Sequence, residues 1–160
     1  MKQILQLRIE ICGTKPTCWR RLLVSRQMSF FELHHATQIA FGWQNKHAFA
    51  FRIEGFHISD DGYRDHSVIR PPDLSLGDIL SAEDYFIYLY GSPVYQQHVI
   101  TVEQSLERRP GVSYPLCIDG KSGCVAAGEM DLIPFSRTAI NIQLEKIDWY
   151  IIDWMKQRLR

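Results

Sequence analysis

From Ile4 to Ile11 apolar and polar residues alternate one for one, with Leu5, Leu7, Ile9 and Ile11 on one side and Gln6, Arg8 and Glu10 on the other. A period of two is the signature of a strand with one buried face. Gly13-Thr14-Lys15-Pro16 marks a turn, and Cys18 to Val24 reads as a second strand, antiparallel to the first. This strand carries an arginine on each face: Arg20 lies with Cys18, Leu22 and Val24, and Arg21 with Trp19 and Leu23. Whichever face is buried must house a guanidinium, by pairing it with a carboxylate or by extending its tip to water.

The period then changes. Ser29-Phe30-Phe31-Glu32 fits a capping box, and the spacing predicts a helix from Phe30 to Phe41, stopped by Gly42. Phe30, Leu33, Ala36, Thr37, Ala40 and Phe41 share one helical face, with His34 at its edge and His35 pointing away with Glu32 and Ile39. His47, Phe49, Phe51 and Ile53 alternate with Ala48, Ala50, Arg52 and Glu54 as a third strand. Residues 59–75 read as a long polar loop, ending where Ser75 caps a short helical turn through Leu80. Tyr85 to Tyr90 and Gln97 to Glu103 are two further strands, joined by the turn Gly91-Ser92-Pro93-Val94. Residues 108–128 are rich in turn formers. From about Leu144 a helix is expected to run to the C-terminus, with Ile147, Ile151 and Trp154 as its apolar stripe and Trp149 and Ile152 widening it.

These elements predict an α+β fold: a single domain over residues 1–160, with an antiparallel or mixed sheet of about five strands. The Phe30–Phe41 helix packs on one face, and residues 129–160 form a C-terminal helical segment. At 160 residues the chain buries about 70% of its unfolded surface and requires neither disulfides nor metal for stability. The apolar surplus of the C-terminal helix is expected either to bury within the chain or to make a homodimer.

Composition changes the picture in two ways. Eighteen basic side chains balance eighteen acidic ones, which disfavours an electrostatic nucleic-acid binder, leaving only a local basic patch. Met1 to Ile11 lacks the continuous apolar run of a signal peptide, and no stretch is long and apolar enough for a membrane span. The expectation is a cytoplasmic protein whose Cys12, Cys18, Cys117 and Cys124 are reduced thiols.

Several segments together resemble a known family. Pro16-x-x-Trp19-Arg20-Arg21-x-x-Val24, Leu33-His34-x-x-x-Gln38-x-Ala40-Phe41-Gly42-Trp43 and Asn45-x-His47-x-x-x-Phe51 match the opening of the plasmid pRiA4b ORF-3-like family. Leu74-x-Leu76-x-Asp78-Ile79-Leu80, His98-x-Ile100-x-Val102-Glu103, and Gly111-Val112-x-Tyr114-Pro115-x-Cys117 with Gly120 continue the match to about Gly128. The chain departs from the family at its central turn. The usual Tyr-Asp-Phe-Gly-Asp-x-Trp-x-His is replaced by Leu89-Tyr90-Gly91-Ser92-Pro93-Val94, with two extra residues before His98. The acidic and glycine pairs that follow the later cysteine are absent. The resemblance implies an α+β fold and a link to plasmids or transposons.

Candidate chemistry is sparse. The four cysteines lack the Cys-x2–4-Cys spacing of a zinc knuckle. No nucleophile elbow, phosphate loop or dinucleotide fingerprint is present, and Ser25-Arg26 alone does not make a serine recombinase. No cofactor and no metal are expected. His34, His47 and His98 either converge as metal ligands or an acid/base set, or satisfy local hydrogen bonds, with His34 and His47 locking the helix-to-strand corner beside Trp43. Trp19, Arg20, Arg21, Arg26, Trp43 and Lys46 are an aromatic and basic grouping suited to bases and phosphates, or else corner residues with ion-paired arginines. The candidate binding surface is therefore Trp19, Arg20, Arg21, His34, Trp43, His47 and His98. The resulting expectation is a non-catalytic binding or accessory protein of a mobile genetic element, with a protein or nucleic-acid partner. The alternative is an enzyme using the three histidines, which would require them to share a pocket with a carboxylate such as Asp78 or Glu103.

Overall fold

The alternating segment at the N-terminus becomes the middle of a sheet. In the computed structural model, which describes residues 2–14, 16–54, 56–59, 74–82, 84–91, 95–121 and 135–147, seven strands and three helices follow one another. They are β1 (Ile4–Ile11), β2 (Trp19–Ser25), α1 (Phe30–Phe41), β3 (Phe49–Ile53), β4 (Phe56–Ser59), α2 (Leu76–Ile79), β5 (Tyr85–Tyr90), β6 (Gln96–Leu106), β7 (Leu116–Lys121) and α3 (Arg137–Lys146). The sheet order is β4-β3-β5-β6-β1-β2-β7, and every strand pair is antiparallel.

The sheet has seven strands where the sequence pattern predicts about five. The two additional strands are the edge strands, and each is extended because of its neighbour. Four residues, Phe56–Ser59, are too short to show a period, yet they fold back on β3 with Phe51 opposite Ile58. Leu116–Lys121 lies within the turn-rich segment and contains Gly120, but it pairs with β2 from Trp19 to Leu23. Glycine is required there. A β-carbon at Gly120 would come within 2.6 Å of the Phe135 ring and 2.9 Å of the Trp19 carbonyl oxygen.

Register places one apolar layer under α1. Ile58, Phe51, Tyr88, His98, Ile11 and Cys18 form one cross-strand row. The next row is Phe86, Ile100, Ile9, Arg20 and Gly120, followed by Val102, Leu7, Leu22 and Cys117. The capping box of α1 forms as predicted: the Ser29 hydroxyl accepts from the Glu32 N–H at 3.0 Å, and the Ser29 N–H donates back to the Glu32 carboxylate at 3.4 Å. Gly42 ends the helix at φ 73°, a left-handed conformation suited to glycine. The buried face of α1 is broader than predicted and includes Phe31, His34 and Gln38.

The helix expected from about Leu144 to the C-terminus overlaps the end of a different helix, α3, which closes at Lys146, and residues 148–160 of the expectation lie outside the described residues. Ser136 caps α3 by accepting from the Ala139 N–H at 3.2 Å, and Ile147 leaves the helix in an extended conformation. Ile140 and Leu144, one turn apart, are buried, and α3 packs on β7 and α1. Trp149, Ile151, Ile152 and Trp154, with the homodimer expected through them, lie outside the described residues. So do Cys124 and residues 60–73 of the long loop.

The outer edge of β7 is already occupied at Cys117. Asn141 of α3 accepts from the Cys117 N–H at 2.7 Å and donates to the Cys117 carbonyl at 2.8 Å. One side-chain amide thus takes the place of a neighbouring peptide group and blunts the edge.

Candidate functional site

The seven candidate residues do not form one surface. Arg20, His34, Trp43, His47 and His98 belong to the helix-covered side of the sheet, and Trp19 and Arg21 to the opposite face, which is buried at Ala50, Leu89 and Ser59 but, among the described residues, open around β1, β2 and β6. Alternation along β2 forces this split, because neighbouring residues point to opposite faces.

Arg20 is 2% exposed and so is no contact residue. Its Nε donates to the Ala40 carbonyl at 2.7 Å, and one terminal nitrogen donates to the carbonyls of Trp19 and Lys121 at 2.9 and 3.0 Å. Its guanidinium carbon lies 4.9 Å from the ring centroids of both Phe41 and Phe135. The arginine therefore ties the last turn of α1 to β2 and β7.

The histidines are likewise interior fastenings. His34 Nε2–H donates to the Asn45 side-chain oxygen at 2.6 Å, and its Nδ1 accepts from the Tyr88 hydroxyl at 2.6 Å. Gln38 donates to that hydroxyl at 2.9 Å and accepts from the Asn45 backbone N–H at 2.8 Å. The four groups close a directional ring of hydrogen bonds that requires neutral His34. Burial supplies that state, pushing the imidazole down to about 3. The ring of His34 also stacks on Phe49, 3.7 Å between centroids. The sequence pattern places Gln38 and Asn45 in motifs and Tyr88 in a strand, and assigns none of them a role. The i, i+4 spacing of His34 and Gln38 was the available signal.

His98 is fully buried and also neutral, its imidazole pushed down to about 4 by burial. Its Nδ1–H faces the carbonyls of Tyr88 and Gln96 at 3.3 and 3.2 Å. Its Nε2 and the indole N–H of Trp43 have no hydrogen-bond partner among the described residues. These two rings meet edge to face at 6.2 Å. His47 packs on Tyr90 at 5.7 Å, while the Tyr90 hydroxyl accepts from the Lys46 N–H at 2.9 Å. The carboxylates that an acid/base set would need are elsewhere: Glu103 is on the open face, and Asp78 accepts from the Ser75 N–H at the start of α2. Among the described residues, no three His, Cys, Asp or Glu side chains gather as a metal-binding group. Burial also pushes the Cys117 thiol up to about 11, so it stays a protonated, unreactive core group.

The open face has a different character. Two guanidiniums approach the half-buried Trp19 ring, Arg8 at 4.5 Å and Arg21 at 5.0 Å from its centroid. Arg8 pairs with Glu10 at 3.2 Å. Arg21 holds both oxygens of Glu103, at 2.7 and 3.0 Å, and reaches Asp119 at 3.5 Å. That hydrogen bonding holds Glu103 below the ordinary carboxylate range and Arg21 above its own. Two bulges build this arrangement. The β1–β6 register skips Glu103 at Gln6/Leu7, and the β2–β7 register skips Ile118 at Arg21/Leu22. Each bulge sends an extra side chain to the open face.

Next to this strip lies a groove of about 660 Å³. Ile4, Leu23, Leu106, Val112, Leu116 and Ile118 give it an aliphatic lining, and Gln6, Gln104, Glu107, Arg108, Arg109 and Tyr114 add polar and aromatic groups. Gln6 joins groove and strip, donating to Glu103 at 3.1 Å and accepting from Gln104 at 3.0 Å. Arg108 sits over the Tyr114 ring at 5.0 Å. The Tyr114 hydroxyl accepts from the Arg109 backbone N–H at 3.2 Å. Sequence pattern did not reveal this groove, because the bulges that shape it break the period on which pattern reading relies.

Comparison with known proteins agrees with this architecture. Over 128 residues the chain is 27% identical to the uncharacterized protein y4hQ of Sinorhizobium fredii (strain NBRC 101917 / NGR234), a match spanning 76% of this chain and 63% of that protein. The fold is similar to the crystal structure of the protein of unknown function MM3350 from Methanosarcina mazei Go1. The TM-score is 0.72 at 22% identity, covering 96% of this chain and 88% of that one. Among the described residues, no helix is long and apolar enough to cross a membrane. The model of the plasmid pRiA4b ORF-3-like protein family matches residues 3–130, and the chain belongs to that family.

Proposed function

We propose that the chain is a non-catalytic binding module, an accessory protein of a plasmid or other mobile genetic element, acting through protein contacts made by the open face of its sheet. The observation that carries this reading is the Trp19 strip. An aromatic ring, two guanidiniums and their carboxylates are fixed in place on a rigid sheet beside an apolar groove. Aromatic and arginine side chains held in this way are the kind that anchor protein interfaces. Two charges on the strip, Arg8 and Arg21, face three carboxylates, Glu10, Glu103 and Asp119. That balance disfavours a phosphate backbone, which demands surplus cations. Catalysis by His34 and His98 is disfavoured by their burial as neutral rings whose hydrogen bonds support the core.

The test is affinity purification from the native host with nuclease treatment, using wild type and a Trp19→Glu variant of unchanged melting temperature. The expected result is a protein partner that survives nuclease with the wild type and is lost with the variant. A partner that ignores the substitution, or one retained only through nucleic acid, would overturn the reading.

A further inference from the structure

The groove beside residues 107–115 carries the open-face reading one step further, to the chemistry of the partner. We propose that this groove takes an extended peptide segment of a partner protein, one that places an apolar side chain beside a carboxylate. The inference rests on the open-face reading, and three observations support it.

The first is charge. Among the described residues the ion pairs of the open face are Arg8–Glu10, Arg21–Glu103 and Arg21–Asp119. Arg108 and Arg109, which also line the groove, take part in none of them. Arg108 is pre-positioned over Tyr114, so less side-chain freedom is lost when it binds. Glu107 stands beside them and offsets one of the two charges, leaving the described lining of the groove net positive by one. A guanidinium pair at the side of an aliphatic floor favours a carboxylate adjoining an apolar group.

The second is shape. A volume of about 660 Å³ lies in the range of ligand sites. Leu23 of the groove lies on the same face of β2 as Arg21 and Trp19 of the strip, so a track along that strand would run from Leu23 past Arg21 to Trp19. Alternate residues of a strand lie roughly 6.8 Å apart, so these three positions span about 14 Å, the reach of an extended segment of about five residues. A compact small molecule would leave most of that track uncovered.

The third is the blocked edge. Addition of a strand to β7 is disfavoured where Asn141 already satisfies Cys117. The segment is therefore held by side chains on the sheet face rather than by main-chain pairing.

The experiment selects peptides from a random library of about 12 residues on the wild-type chain. It then measures the selected sequences, fluorescein-labelled, by anisotropy against wild type, Arg108→Glu/Arg109→Glu and Trp19→Glu. Both arginines are exposed, and the double variant is expected to melt like wild type. The expected result is a consensus with Asp or Glu beside Leu, Ile or Phe, and an affinity loss of about tenfold or more on the double reversal. Failure to obtain an acidic–apolar consensus overturns the inference. Peptides that ignore the double reversal but are lost on Trp19→Glu overturn it and leave the open-face reading standing, whereas indifference to both variants removes both. A wild-type dimer in sedimentation that the double reversal dissociates would assign the groove to a second copy of the chain and overturn the peptide proposal.

Discussion

His34 and His98 show how a titratable side chain serves a core. Each is held neutral by burial, at about 3 and about 4 respectively, against roughly 6.5 in an unfolded chain. Between those limits the unfolded chain binds protons that the native state refuses. Stability from this source is therefore complete above pH ~6.5 and falls as the pH drops, with a slope approaching about 1.4 kcal/mol per pH unit for each histidine. His35, also lowered by burial, acts in the same direction. Glu103, held low by Arg21, adds its own loss only through the carboxylate range. Urea unfolding at pH 7.5 and pH 5 checks this, and His98→Leu is expected to reduce the slope by the share of one histidine. A variant slope equal to that of the wild type would mean that His98 takes up its proton as readily in the fold as in the unfolded chain.

At the scale of elements, the edge of the sheet depends on a single amide. Asn141 supplies both hydrogen bonds to Cys117 from α3. Asn141→Ala is expected to cost about 1–3 kcal/mol, since a backbone N–H and C=O lose their partners. The same change exposes an edge, so amide exchange at Cys117 should accelerate and aggregation should increase on mild heating. Hydrogen exchange followed by mass spectrometry reads the first, and light scattering the second. An exchange rate unchanged in the variant would show that α3 covers this edge without help from the amide. Capping chemistry, by contrast, was legible directly: Ser29, Glu32 and Gly42 bound α1 as their residue types require.

For the whole molecule, equal numbers of acidic and basic side chains and the matched charges around Trp19 leave few cations for phosphate. Binding to a fluorescein-labelled single-stranded oligonucleotide is expected to be weaker than about 10 μM near physiological salt, and to weaken steeply as salt rises. Anisotropy titration at two salt concentrations measures both. Tight binding indifferent to salt would place an uncharged, stacking mode on this face and count against the protein-contact reading.

Local pattern sufficed for the elements whose stability is local. The alternation of Ile4–Ile11, the capping box at Ser29 and the period of Phe49–Ile53 each bury a face that the residues themselves define. The resemblance carried from Pro16 to about Gly128 was legible for a different reason, since its motifs are fixed residue spacings along the chain. What could not be read from the chain depends on contacts far apart in sequence. The strand at Leu116–Lys121 exists because β2 offers it a partner and Phe135 demands Gly120. His34 meets Tyr88 across 54 positions, and Arg21 meets Glu103 across 82. Spacing along a chain is blind to such pairings, whereas the alternation of Cys18–Val24 already assigns Trp19 and Arg20 to opposite faces. The groove beside them arises from two bulges, one in each flanking ladder, and only the register of the assembled sheet creates those.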